Sequence, residues 1–142
     1  MKVLFVCHGN ICRSPMAEFI LKDMLKKADI ASVQVDSVAA SREELGNPIY
    51  PPAQRELTKH GSPFDCHYAR QITQGDIDSS DYIYYMDSRN RTYLQRLFPG
   101  CKKFQQLLSH DVADPWYTGD FTATWRDLQE GCKRIMEEIG NG

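Results

Sequence analysis

The chain has 142 residues, 42% hydrophobic and 25% charged, a balance that suits one folded domain over residues 1–142 and excludes a disordered chain. Its net charge of −2 leaves no basic footprint for nucleic acid or an anionic membrane, and no apolar run approaches the roughly 20 residues that cross a bilayer. Five scattered cysteines, an odd number, argue against a disulfide framework and for a reduced, cytoplasmic setting.

Lys2 to Val6 is a short apolar run that suits a buried parallel strand. It stops at Cys7, too soon for a secretory signal. Ser14-Pro15 reads as a helix N-cap followed by proline at the first helical position. Met16, Phe19, Ile20, Met24 and Leu25 continue at helical spacing, with Glu18, Lys22, Lys26 and Lys27 expected to face water. Val33, Val35 and Ser37 alternate as a second strand. Ser41 to Pro52 carries one glycine and three prolines and reads as a long surface loop. Ala53 to His60 suits a short helix ended by Gly61. Tyr82 to Met86 is a strand by its aromatic and β-branched content. Tyr93, Leu94, Leu97 and Phe98 mark a helix that ends before Pro99-Gly100. Trp125, Leu128, Cys132, Ile135, Met136 and Ile139 form the stripe of a last helix between about Thr122 and Ile139. Strands alternating with helices predict an α/β fold with a parallel sheet, in which ligands bind beyond the C-terminal strand ends.

The loop after the first strand is therefore the first place to seek chemistry. It reads Cys7-His8-Gly9-Asn10-Ile11-Cys12-Arg13-Ser14-Pro15 and runs into a helix start. It lacks the Gly-x-x-x-x-Gly-Lys pattern of nucleotide loops. A cysteine, five residues and an arginine can instead wrap one tetrahedral anion. Backbone N–H groups turn inward, the helix end adds positive potential, and Arg13 grips two oxygens with its planar fork. Cys7 lies beneath the anion, where the same positive field favours a nucleophilic thiolate. Gly9 and Asn10 are residue types that tolerate the positive φ such a ring needs. A zinc site from Cys7, His8 and Cys12 matches no common ligand spacing.

The string from Val6 to Pro15 resembles the signature of the low-molecular-weight protein tyrosine phosphatases. Asp114-Pro115-Trp116-Tyr117 is similar to the Asp-Pro-aromatic segment on which that family carries its general acid. Asp36-Ser37, Met86-Asp87 and His67-Tyr68-Ala69-Arg70 add weaker matches in the same order. The resemblance implies a flavodoxin-like sheet of four parallel strands, order 2-1-3-4, flanked by helices. It implies a phosphotyrosine-protein phosphatase in which Cys7 forms a phosphocysteine, Arg13 and the loop from His8 to Cys12 bind phosphate, and Asp114 acts as general acid and base. It further implies that Ser14 assists departure of the Cys7 sulfur, and that Asn10, Ser37 and His67 support the loop. Neither a metal nor another cofactor is expected, and a monomer is the expected state.

Several readings stay open. Cys12 either packs under the loop or traps oxidised Cys7 as a disulfide. His67 is either part of the supporting network or a turn histidine. Trp116 and Tyr117 are candidates for a substrate wall. The segment Ser41 to Gly46 holds no aromatic residue where many family members have one, and Tyr50 is the nearest. Ile11 occupies the position where the family's protein-arginine phosphatases carry threonine, which favours phosphotyrosine and leaves the arginine phosphatase as the alternative. An arsenate reductase would need further cysteines near Met86 to Phe98, where there are none. A non-enzymatic phosphate-binding module would need neither nucleophile nor acid.

Overall fold

In the computed structural model, which describes residues 1–141, the apolar run Lys2–Cys7 forms strand β1. The chain continues as helix α1 (Arg13–Lys27), β2 (Gln34–Ala39), α2 (Pro51–Lys59), α3 (Gln74–Ser79), β3 (Tyr82–Tyr85), α4 (Ser88–Leu97), β4 (Phe104–Gln106), α5 (Pro115–Thr118) and α6 (Phe121–Asn141). The four strands pair in parallel in the order β2-β1-β3-β4, as the resemblance implied. β1 is central because both of its faces are apolar. Successive strand residues alternate between faces. Val3 and Phe5 therefore pack against α1, α2 and α6, through residues such as Met16, Leu57 and Leu128. Leu4 and Val6 pack on the opposite face with Ile77 of α3 and Leu94 of α4. Among the described residues, no helix is long and apolar enough to cross a membrane.

Four expectations need correction. Ser14 is not the N-cap of α1; Cys12 holds that position without a side-chain cap, and Ser14 lies in the first turn with its hydroxyl near the Cys7 sulfur. Glu18 does not face water but is buried, for reasons the site makes plain. Tyr93 and Leu97 do not form the buried stripe of α4; Leu94 fills that role and the other two are exposed. The segment from Ser41 to Pro52 is not wholly a surface loop, since Ser41 and Ile49 are buried and α2 begins at Pro51.

α6 lies close to the segment after β4. A Cβ at Gly131 would come within 2.5 Å of Leu107 Cγ, which is itself buried. Replacing a helical glycine by alanine ordinarily gains up to about 1 kcal/mol. Overpacking of a fixed side chain costs about 1–3 kcal/mol. The second effect wins, so Gly131→Ala is expected to lower stability. Chemical denaturation showing an unchanged or higher midpoint would mean that Leu107 moves aside freely.

Candidate active site

Cys7 is the last residue of β1, and the segment from His8 to Cys12 connects it to α1. The outward carbonyls of this loop are tied to its surroundings. Cys7 O accepts from Ala40 N at 2.8 Å, His8 O from Ser41 N at 3.0 Å, and Ile11 O from Tyr50 N at 2.9 Å. Asn10 adopts a φ of 59°, the left-handed conformation its residue type tolerates. Gly9 is closely approached instead: a Cβ there would lie 3.1 Å from Glu44 Cγ, so that side chain would have to give way.

The loop closes around the Cys7 sulfur. Asn10 N and Ser14 N each donate to Cys7 Sγ at 3.3 Å, and Ser14 Oγ lies 3.0 Å away. Two backbone N–H donors and one hydroxyl thus converge on one buried sulfur. Cys12 has the opposite environment. Burial pushes its thiol well above the ordinary range, negative charge at Cys7 and Asp114 adds to this, and Arg13 opposes it. Cys12 packs with Ile11 and Ala69.

Behind the loop runs a buried polar chain. Asn10 Nδ2 donates to Ser14 Oγ at 2.7 Å and to Ser37 Oγ at 3.1 Å. Ser37 Oγ donates to Glu18 Oε1 at 2.6 Å, and Lys22 Nζ donates to Glu18 Oε2 at 2.5 Å. His67 Nε2 lies 3.1 Å from Asn10 O and 3.0 Å from Asn10 Oδ1, both acceptors, so this nitrogen carries the hydrogen. His67 Nδ1 lies 3.8 Å from Glu18 Oε1. The structure thus brings Asn10, Ser14, Ser37 and His67 together behind the loop. It adds Glu18, which the sequence reading placed in solvent. The Asn10, Ser37 and Glu18 side chains each find a hydrogen-bond partner in this chain, which favours a rigid loop.

Arg13 is 2% exposed, the largest fully buried side chain of the fold. Its Nη1 donates to Asp87 Oδ2 at 2.6 Å and to Val112 O at 2.8 Å, and its Nη2 donates to Asp114 Oδ2 at 3.3 Å. Burial disfavours its charge, but negative charge at Cys7, Asp114 and Asp87 outweighs this and holds the guanidinium more firmly protonated than usual. Asp87 is the second residue that sequence reasoning missed. Its signal was present as Met86-Asp87 at the end of a strand, yet nothing local says that the carboxylate meets an arginine 74 positions away.

Asp114 is fixed by its own helix. It is the N-cap of α5, and its Oδ1 accepts from Trp116 N at 3.1 Å while Oδ2 faces Arg13. A cavity of about 60 Å³ lies between these parts. Its floor is the loop from Cys7 to Arg13, and its rim is formed by Glu43, Glu44, Asp114, Trp116 and Tyr117. Trp116 and Tyr117 are exposed. Tyr50 does not line the cavity. It packs against Trp116 from behind, ring centroids 4.8 Å apart, and so braces that wall.

Residues 2–142 match the family of the low molecular weight phosphotyrosine protein phosphatases. The chain belongs to this family. It is an enzyme of the phosphoric monoester hydrolase class, as the named relatives are. The chain is 36% identical to the low molecular weight protein-tyrosine-phosphatase YfkJ of Bacillus subtilis, over 98% of this chain and 96% of that protein. The crystal structure of SP-PTP, a low molecular weight protein tyrosine phosphatase from Streptococcus pyogenes, superposes with a TM-score of 0.89 at 37% identity, covering 97% of this chain and 92% of that one. A Drosophila arginine phosphatase, DARP, superposes with a TM-score of 0.89 at 33% identity, covering 98% of each chain. Family membership leaves the choice of phosphorylated substrate residue open between phosphatases of these two kinds, and that choice turns on the residues lining the cavity of this chain.

Proposed function

We propose that this phosphatase hydrolyses phosphotyrosine in proteins through a covalent phosphocysteine. The observation that carries the reading is the convergence of two backbone N–H donors and the Ser14 hydroxyl on Cys7 Sγ directly beneath a cavity whose rim holds Asp114. In the first step Cys7 Sγ attacks phosphorus, the S–P bond forms, and the P–O bond to tyrosine breaks. Asp114 gives its proton to the departing phenolic oxygen. In the second step water attacks phosphorus, Asp114 takes a proton from it, and the S–P bond breaks. The Ser14 hydroxyl and the amides of Asn10 and Ser14 receive the sulfur as a thiolate. Arg13 and the loop N–H groups bind the equatorial oxygens throughout, where charge builds on them. Asp87 and Val112 O fix one end of the guanidinium, so Arg13 meets the phosphoryl group already oriented. Glu18, Ser37, His67 and Asn10 hold the loop in shape. The five free thiols support a reducing, cytoplasmic setting.

Phosphotyrosine is favoured over phosphoarginine by the slot. Ile11 lines its floor and offers only hydrocarbon, while Trp116, braced by Tyr50, and Tyr117 supply aromatic walls. Ring packing adds about 0.5–1.5 kcal/mol beyond plain burial, and Ile11 offers a guanidinium no acceptor. Steady-state kinetics should give a higher kcat/KM for phosphotyrosyl than for phosphoarginyl peptides. Ile11→Thr should shift the ratio toward phosphoarginine. Equal or better turnover of phosphoarginine by the wild-type enzyme would assign it the activity named for DARP, with Cys7, Arg13 and Asp114 keeping their roles.

A further inference from the structure

The hollow over the phosphate-binding loop does not end at its rim. His8, Arg13, Asp114 and Tyr117 also line a second hollow of about 350 Å³, which runs on past Arg89 and Tyr93. A third of about 270 Å³ shares Arg89 and Tyr93 and extends to Arg96. Positions 89, 93 and 96 follow one another at spacings of four and three along α4, so they share one face. A stripe of arginine, tyrosine and arginine thus leads away from the mouth of the site. At about 1.5 Å of helix rise per residue it covers roughly 10 Å, the length of about three residues of extended peptide.

The stripe is built unlike the rest of the rim. Arg89, Tyr93 and Arg96 are exposed, and neither arginine has an ion-pair partner among the described residues. The acids on this side are already engaged. Asp87 and Asp114, which also line the second hollow, both accept from Arg13, and Asp111 accepts from Ser88 N, Ser88 Oγ and Gln106 Nε2. The opposite rim carries Glu43 and Glu44. His8 separates the two sides: its Nε2 lies 2.9 Å from Glu43 Oε2, and its ring meets Tyr93 edge-on at 6.1 Å. A peptide whose phosphotyrosine fills the loop therefore meets unpaired arginines on one side, where Asp87 and Asp114 are paired with Arg13, and the carboxylates of Glu43 and Glu44 on the other.

We infer that the α4 stripe is an extended substrate subsite that binds acidic side chains in the segment flanking the phosphotyrosine. The inference rests on the phosphotyrosine reading above. Arg89, nearest the loop, takes the first acidic residue, Tyr93 supports the intervening backbone, and Arg96 takes an acidic residue about three positions further out. Glu43 and Glu44 repel the same residues on the other side, so the peptide has one preferred direction. Solvent-exposed charge pairs are individually weak, and two of them amount to about threefold to tenfold in kcat/KM.

The test uses the full chain and three sets of phosphotyrosyl peptides that carry Glu, Ala or Lys at the flanking positions. Each set places the substitutions either before or after the phosphotyrosine, with p-nitrophenyl phosphate as the reference. Wild type is expected to prefer Glu over Ala flanks by about threefold to tenfold on one side only, and the preference should fade as salt rises. Arg89→Ala with Arg96→Ala should bring the Glu-to-Ala ratio to about one, and Arg89→Glu with Arg96→Glu should invert it in favour of Lys. Lys26→Glu with Lys133→Glu changes net charge equally at exposed positions away from the groove and should leave the ratio alone. A wild-type ratio of one, a ratio that survives the double alanine variant, or an equal effect of the Lys26 and Lys133 pair would each overturn the inference. Hydrolysis of p-nitrophenyl phosphate without turnover of any phosphotyrosyl peptide would overturn the phosphotyrosine reading, and this inference with it.

Discussion

Cys7→Ser is expected to take phosphatase activity below detection while the fold and the anion site persist. The serine hydroxyl is nearly isosteric with the thiol, so Asn10 N and Ser14 N, each donating to sulfur at 3.3 Å, keep an acceptor. Nothing else in the buried chain behind the loop touches the substituted atom apart from Ser14 Oγ. What is lost is chemical. A hydroxyl is a far weaker nucleophile than a thiolate at neutral pH, and no general base stands beside it to take its proton. Two measurements separate the outcomes. Thermal melting should match wild type, and calorimetry should still detect inorganic phosphate binding. Substantial turnover by the purified, well-folded variant would rule out the covalent route and force a direct attack by water.

The contrast between what the sequence disclosed and what it hid follows the range of the interactions involved. The strand β1, the loop from Cys7 to Arg13 and the helix after it are consecutive, so their chemistry is legible in ten residues. α6 is legible because 21 residues repeat one apolar stripe. Strand β4 is not legible, because it has three residues and two are glutamines. Helix α3 left a signal that went unread: Thr73 and Asp76 stand three apart and form a reciprocal capping box. Glu18 sits among lysines on α1 and reads as solvated until Ser37 arrives from β2 to meet it. Asp87 likewise gains its meaning only when the sheet places β3 beside β1. Ser14 misled in the other direction. Its local pattern is that of an N-cap, but its hydroxyl meets the Cys7 sulfur seven residues back, and that contact exists only once the loop has closed. The aromatic wall shows the same effect. Without an aromatic between Ser41 and Gly46, the sequence leaves Tyr50 unassigned, and the fold gives it to Trp116 as a brace.

Asp114→Asn is expected to slow hydrolysis of phosphotyrosine by about 10²- to 10⁴-fold, the usual worth of a positioned general acid. The substitution isolates the proton from the scaffold. Asparagine caps helices about as well as aspartate, so the amide oxygen can still accept from Trp116 N and keep α5 in place. Arg13 loses one of two carboxylate partners but retains Asp87 and Val112 O, which already fix its buried end. The loss therefore belongs to proton transfer and should depend on the leaving group. An alkyl phosphate, whose oxygen departs as a strong base, should suffer most. An aryl phosphate with strongly electron-withdrawing substituents departs without protonation and should suffer least. The two other carboxylates of this region are poor substitutes. Asp120 accepts from Ala123 N at the start of α6, Asp111 is engaged by Ser88 and Gln106, and neither lines the cavity. A plot of log kcat/KM against leaving-group basicity should thus be steeper for Asp114→Asn than for wild type. Parallel lines, or a change of less than a few-fold on phosphotyrosine, would place the acid elsewhere and leave Asp114 as the residue that caps α5 and orients Arg13.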